Sequence, residues 1–136
     1  MDVENIMSKP VFEDLLTFSG RRNRLSYILF QISIWILLFV GGVFGITIGA
    51  TAFNNNAAGG GAIVVLILAL AFLFIVVSDL AVTAQRFRDI GCTGWAALLI
   101  LIPYVDFIVW IVLMFIPGTR GENKYGPDLL ETHNNN

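Results

Sequence analysis

Charge is what this chain has least of: only 13% of its 136 residues are Asp, Glu, Lys or Arg. That is about half the share expected of a soluble domain, so a water-facing surface over the whole molecule is excluded. Cysteine and histidine are scarcer still. Cys92 stands alone, which rules out an intrachain disulfide and a cysteine-based metal site. His133 is the single histidine and sits in the terminal run Thr132-His133-Asn134-Asn135-Asn136, a stretch expected to be disordered. No histidine, cysteine and carboxylate set converges, and neither a phosphate loop nor a metal-ligand spacing occurs. The chain is therefore expected not to be an enzyme: no catalytic residue, no metal, no cofactor and no nucleic-acid partner is assigned.

What is present is apolar. Hydrophobic residues make up 57% of the chain, and the mean hydropathy is +0.79. The charges collect near the ends and in one central turn, and three long runs between them are almost bare. The composition predicts an all-α integral membrane protein, a small helical bundle forming one membrane domain over residues 1–136.

The central turn, Gln85-Arg86-Phe87-Arg88-Asp89-Ile90-Gly91-Cys92-Thr93-Gly94-Trp95, organises the rest. Gly91 suits the left-handed residue that closes a helix, and Thr93 suits the N-cap of the next. Trp95 fits the headgroup level.

Before it, residues 1–20 predict an amphipathic surface helix. Ser8 would cap it, Pro10 would fall in its first turn, and Val11, Phe12, Leu15 and Leu16 would share a face. Its apolar stripe suits either the membrane surface or the protein's own cytoplasmic ends. Arg21, Arg22 and Arg24 then precede an uncharged run from 27 to 52, long enough at about 39 Å of helix to cross a hydrocarbon core of about 30 Å. Ala50-Thr51-Ala52 resembles a signal-cleavage site, but a run this long is expected to stay as an anchor. Gly41, Gly45 and Gly49 line one face of it. Such a stripe allows close helix packing, as a homodimer seam or, the reading favoured, against another segment of the same chain.

The uncharged loop 53–61 separates this run from a second membrane helix with its cytoplasmic extension, 62–90. A third segment, 94–116, is broken by Pro103, with Asp106 just beyond. Two geometries stay open: a kinked helix spanning the bilayer, or a re-entrant hairpin. Basic residues before the first run and after the second place the N-terminus and central turn in the cytoplasm. Arg120 and Lys124 in the tail 117–136 favour a re-entrant third segment, which returns that tail to the same side. The tail's turns are expected to dock on the central turn, with Glu122 and Asp128 reaching Arg86 or Arg88.

Three blocks now carry a resemblance. Gly20-Arg21-Arg22-Asn23-Arg24 with Tyr27, the turn from Arg86 to Trp95, and Pro117-Gly118-Thr119-Arg120-Gly121-Glu122-Asn123-Lys124-Tyr125-Gly126-Pro127-Asp128 resemble the signature blocks of bacterial domain-of-unknown-function family 805, of the YhaH and YhaI type. The resemblance runs from Phe18 to Asp128. It implies a small inner-membrane protein with no established activity. Ile28, Arg88 and Leu129 depart from the family's usual Trp, His and Pro, and an arginine at 88 excludes the proton chemistry of a histidine there.

Arg21, Arg22, Arg24, Arg86 and Arg88 are the candidate site for anionic lipid or a phosphorylated ligand, because guanidinium grips phosphate bidentately. The plainer reading makes them topology determinants and surface anchors. Asp89, at the negative end of its helix, is expected to be clasped by Arg86 or by Arg21 to Arg24. Asp79, inside the membrane, is expected to be held by Thr83 and Arg86, or else to form an ion path with Asp106. The function expected is that of an accessory protein whose arginine-rich cytoplasmic face engages anionic phospholipid or a protein partner. The alternative is a small oligomeric transporter or channel using Asp79 and Asp106. The bilayer is an expected partner, with a homo-oligomer or a membrane-protein partner beside it.

Overall fold

The computed structural model describes residues 10–54 and 58–128. The Ser8 cap, Lys9, the Asn55-Asn56 loop tip, Leu129 and the His133 tail lie outside the described residues.

Two long helices dominate, α1 (Arg24–Asn54) and α2 (Ala58–Asp89). Within them, Arg24–Ala52 and Gly60–Asp89 are long and apolar enough to cross a membrane. The expected loop 53–61 is thus mostly helical. After α2 comes a 3-10 helix, Gly94–Leu101, and then α3, Val105–Phe115.

The chain divides into two compact units. One holds residues 32–77, and the other holds those up to 31 and from 78 onward. In the unit 32–77 the large side chains face outward: Phe39 is 74% exposed and Val65 66%. A surface of that kind needs lipid or a partner over it. Gly41 and Gly45 floor an apolar groove of about 420 Å³ beside Leu68 and Phe72. A methyl at Gly45 would stand 3.2 Å from Leu68 Cδ1, whereas Gly41 and Gly49 face open space. Close packing against the second long helix therefore occurs at Gly45 alone of the stripe.

The other unit is inverted, with polar groups inside. Its largest fully buried side chains are Arg22 and Arg86, followed by Tyr27, Phe30 and Leu113. Phe12, Leu16, Phe18 and Trp95 point outward.

Local chemistry explains each boundary in this unit. Asn23 caps α1, its Oδ1 accepting the Ser26 N–H at 2.9 Å. At the end of α2, Gly91 takes φ +83°, the Cys92 N–H donates to Phe87 O at 2.9 Å, and the Gly91 N–H donates to Arg88 O at 3.0 Å. That pair of bonds is a Schellman closure. Thr93 caps the 3-10 helix through the Trp95 N–H. This helix stops because Ile102, before Pro103, is held extended at φ −93°, ψ 116°. Tyr104, at φ +69° and 89% exposed, turns the chain into α3, which packs back on the 3-10 helix.

Residues 11–18 depart from expectation. They form turns, with Asp14 at φ +53°, where an amphipathic helix was expected. Side chains from further along the chain bond the carbonyls here. Those of Pro10, Val11 and Glu13 accept from Arg22, and those of Asp14 and Thr17 accept from Gln85. Within the stretch itself, Pro10 and Asp14 O accept the N–H groups three residues on, those of Glu13 and Thr17, which closes turns and not a helix.

Candidate functional site

The site lies in the unit formed by residues up to 31 and from 78 onward, where the N-terminal block, the end of α2 and the tail meet. Arginines build it, and each serves a different stretch of backbone. Guanidinium suits the task because its donors fan out in a fixed plane and can serve several carbonyls at once.

Arg21 gathers the tail. Its Nη1 donates to the carbonyls of Gly121, Gly126 and Pro127 at 3.0 to 3.1 Å, and its Nη2 donates to Thr119 O at 2.7 Å. Arg22 gathers the N-terminal turns and donates through Nε to Gln85 Oε1 at 3.1 Å and through Nη1 to Ser26 Oγ at 2.7 Å. Burial pushes its guanidinium down to about 10, against the pull of the Asp14 and Glu13 carboxylates, so it is still charged at neutral pH. Arg86 gathers the end of α3, donating to Leu113 O at 3.2 Å and to Ile116 O.

Asp89 is the common anion. Its Oδ1 accepts from Arg21 Nε at 3.0 Å, and its Oδ2 accepts from Arg86 Nη1. The expected clasp therefore has two arms, one local and one from the start of the chain.

The tail returns the favour to α2. Thr119 donates its backbone N–H and its hydroxyl to Asp89 O at 2.8 and 2.7 Å, and Asn123 Nδ2 donates to Arg88 O at 3.0 Å. The last carbonyls of α2 are thereby satisfied by a segment thirty residues downstream. Sequence reasoning missed Thr119 and Asn123, although both are short polar side chains of the kind that capture backbone groups. The acids expected in that role do other things: Asp128 accepts the Gly121 N–H at 2.7 Å, and Glu122 is exposed.

Of the five arginines proposed to face an anion, Arg21, Arg22 and Arg86 are 3%, 0% and 0% exposed and spend their donors on this protein. Arg88 is half-buried, donates to Phe18 O and lies 5.5 Å from the centre of the Tyr125 ring. Arg24 is exposed. Arg120 and Lys124 are exposed too. A cavity of about 230 Å³ opens among Asn23, Arg24, Asp89, Gly118, Arg120 and Asp128.

Asp79 sits apart from this clasp. Gln31 Nε2 donates to its Oδ1 at 2.6 Å and the Thr83 hydroxyl stands 3.5 Å from the same oxygen. Thr83 is the expected partner, but Gln31 takes the place assigned to Arg86, whose guanidinium is committed to Asp89 and the end of α3. Asp106 is exposed in the first turn of α3, and among the described residues no hydrogen bond joins it to Asp79.

Comparison with known proteins adds the lineage. The family model described as "Protein of unknown function (DUF805)" matches residues 15–127. Inner membrane protein YhaH of Escherichia coli (strain K12) is 33% identical over 119 residues, 87% of this chain and 91% of that protein. Inner membrane protein YhaI of the same strain is 27% identical over 118 residues, 87% of this chain and 90% of that protein. No solved structure matches.

Proposed function

This chain belongs to the DUF805 family of proteins of unknown function, and from that premise we propose a multi-pass inner-membrane protein whose cytoplasmic face engages anionic lipid headgroups. One observation carries the reading: Arg21, just before α1, holds the carbonyls of Thr119, Gly121, Gly126 and Pro127, which follow α3. The start and the tail of the described chain therefore belong on one side of the bilayer.

Helix lengths support a re-entrant third segment. The 3-10 helix of 8 residues rises about 16 Å and the 11 residues of α3 about 16 Å, each half of a hydrocarbon core of about 30 Å. Down and back returns the tail to its starting level. Every Lys and Arg among the described residues belongs to the blocks gathered there, and none lies within 32–77. That asymmetry supports a cytoplasmic side for the gathered end.

The lipid-facing role falls to the outward cations. Arg24, Arg120, Lys124 and the half-buried Arg88 face the layer where anionic phospholipid concentrates, while Phe12, Leu16, Phe18 and Trp95 supply apolar contacts at headgroup depth. The inward arginines are the scaffold that holds this face together.

Reporters fused after Asn136, one active only in the cytoplasm and one only outside, test the arrangement. Cytoplasmic activity is expected, and external activity would end the proposal.

A transport reading keeps one specific support. Asp79 lies ten residues before the end of α2, about 15 Å along the helix, and has no hydrogen bond or ion pair to a cation among the described residues. A proton or solute flux in vesicles that disappears in Asp79→Asn would favour it over the lipid-engaging reading.

A further inference from the structure

We infer that the cavity between the N-terminus of α1 and the tail loop is a seat for a phosphate ester, held by Arg24 and Arg120; this rests on the lipid-engaging reading above. At about 230 Å³ the space is many times what a single water needs, and Asn23, Arg24, Pro117, Gly118, Thr119 and Arg120 make most of its wall.

Charge argues for an anion. Arg24 and Arg120 are the two lining cations, both exposed, and neither has a hydrogen-bond or ion-pair partner among the described residues. The buried arginines Arg21, Arg22 and Arg86 have all their work inside the protein. Two carboxylates also line the space. Asp89 is shared between Arg21 and Arg86, so its charge is more than cancelled at the wall. Asp128 accepts the Gly121 N–H. With Arg21 and Arg86 behind Asp89, four guanidiniums stand against two carboxylates.

The helix end adds to this surplus. Asn23 and Arg24 bring the first turn of α1 to the cavity, and that turn contains no acidic residue. The positive end of the α1 dipole adds to the field there, beside the Asn23 side chain that caps the Ser26 N–H. Two guanidiniums with a helix N-terminus suit a tetrahedral oxyanion, which accepts several charge-assisted hydrogen bonds at once.

Depth selects the class of ester. The seat lies at the start of the 31-residue apolar helix α1, and the acyl chains of a phosphate ester held there would meet an apolar helix. A glycerophospholipid with a net negative headgroup, such as phosphatidylglycerol, fits better than a zwitterionic lipid, whose ammonium would meet the same cations.

The test is native mass spectrometry of the full-length, detergent-solubilised protein given phosphatidylglycerol, phosphatidylcholine or inorganic phosphate in separate arms. Wild-type protein is expected to retain phosphatidylglycerol over phosphatidylcholine, and Arg24→Gln and Arg120→Gln to weaken that retention about tenfold each, the scale of one lost charge-assisted bond. Glu122→Gln, exposed and outside the cavity, should retain lipid as wild type does, and equal melting midpoints would show that the variants remain folded. Retention of inorganic phosphate that is lost in the two variants would assign the same seat to a soluble phosphate. Phosphatidylglycerol retention unchanged in the double variant would overturn the seat while leaving the lipid-engaging face intact; an external tail in the reporter assay would overturn the face itself.

Discussion

Arg86 and Asp89 stand one helical turn apart at the end of α2 and form a buried ion pair, and Arg21 takes the other carboxylate oxygen of Asp89 at 3.0 Å. One carboxylate thereby links the arginine that holds the tail to the arginine that holds the end of α3. Replacing Asp89 with Asn would leave two buried guanidiniums without their anion, an imbalance that typically costs about 3 to 5 kcal/mol. Asp89→Asn is expected to lower the melting midpoint in detergent sharply and to expose the tail to protease. A midpoint equal to that of wild type would mean that the carbonyls alone hold these arginines.

Gly118 is pressed against the same carboxylate. A Cβ there would fall 2.2 Å from Asp89 Oδ2 and 2.8 Å from its Cγ. Asp89 is short and held from two sides, so it has nowhere to move. Gly118→Ala should destabilise by about 1 to 3 kcal/mol, the usual cost of overpacking. Gly94→Ala is the control, because its Cβ would meet only the end of the Arg88 side chain, which can swing aside. Equal midpoints for the two variants would contradict this ordering.

Arg22→Lys keeps the charge but not the fan of donors. An ammonium cannot reach the carbonyls of Pro10, Val11 and Glu13 together with Gln85 and Ser26, and a hydrogen bond from a charged donor contributes about 1.5 to 3 kcal/mol. The expected result is selective release of residues 10–18, seen as faster amide exchange there with little change at Thr119 and Asn123. Uniform exchange across both segments would show that the clasp opens as one piece.

These arginines mark the limit of what the sequence discloses. The apolar runs that become α1 and α2 are legible because length and lack of charge are local properties, and Gly91 is legible because a helix end needs a left-handed residue. Over residues 11–18 turns replace the expected helix for a non-local reason: Gln85 and Arg22 bond the carbonyls there, and Gln85 lies some seventy positions further on. The direction the arginines face is equally hidden. A run of basic residues before an apolar stretch looks the same whether it meets phosphate or folds inward, and only the tail's free carbonyls, brought near by the broken third segment, decide between the two. Asp79 teaches the same lesson on a smaller scale, since Arg86 is on its own helix while Gln31 arrives from another.

Asp79 supplies the last prediction. Its carboxylate is held by two neutral partners, Gln31 at 2.6 Å and Thr83 at 3.5 Å, in the stretch of α2 that lies within a candidate span. An amide at this position can keep a hydrogen bond to Gln31 through its own carbonyl oxygen and removes a group that is costly to charge in lipid. Asp79→Asn should therefore lose no more stability than one hydrogen bond contributes, about 1 kcal/mol, whereas Asp79→Leu leaves Gln31 unsatisfied and should lose more. Chemical denaturation in mixed micelles measures both. If Asp79→Asn proves as damaging as Asp79→Leu, the negative charge itself is needed, and a cation must reach Asp79 in the folded protein.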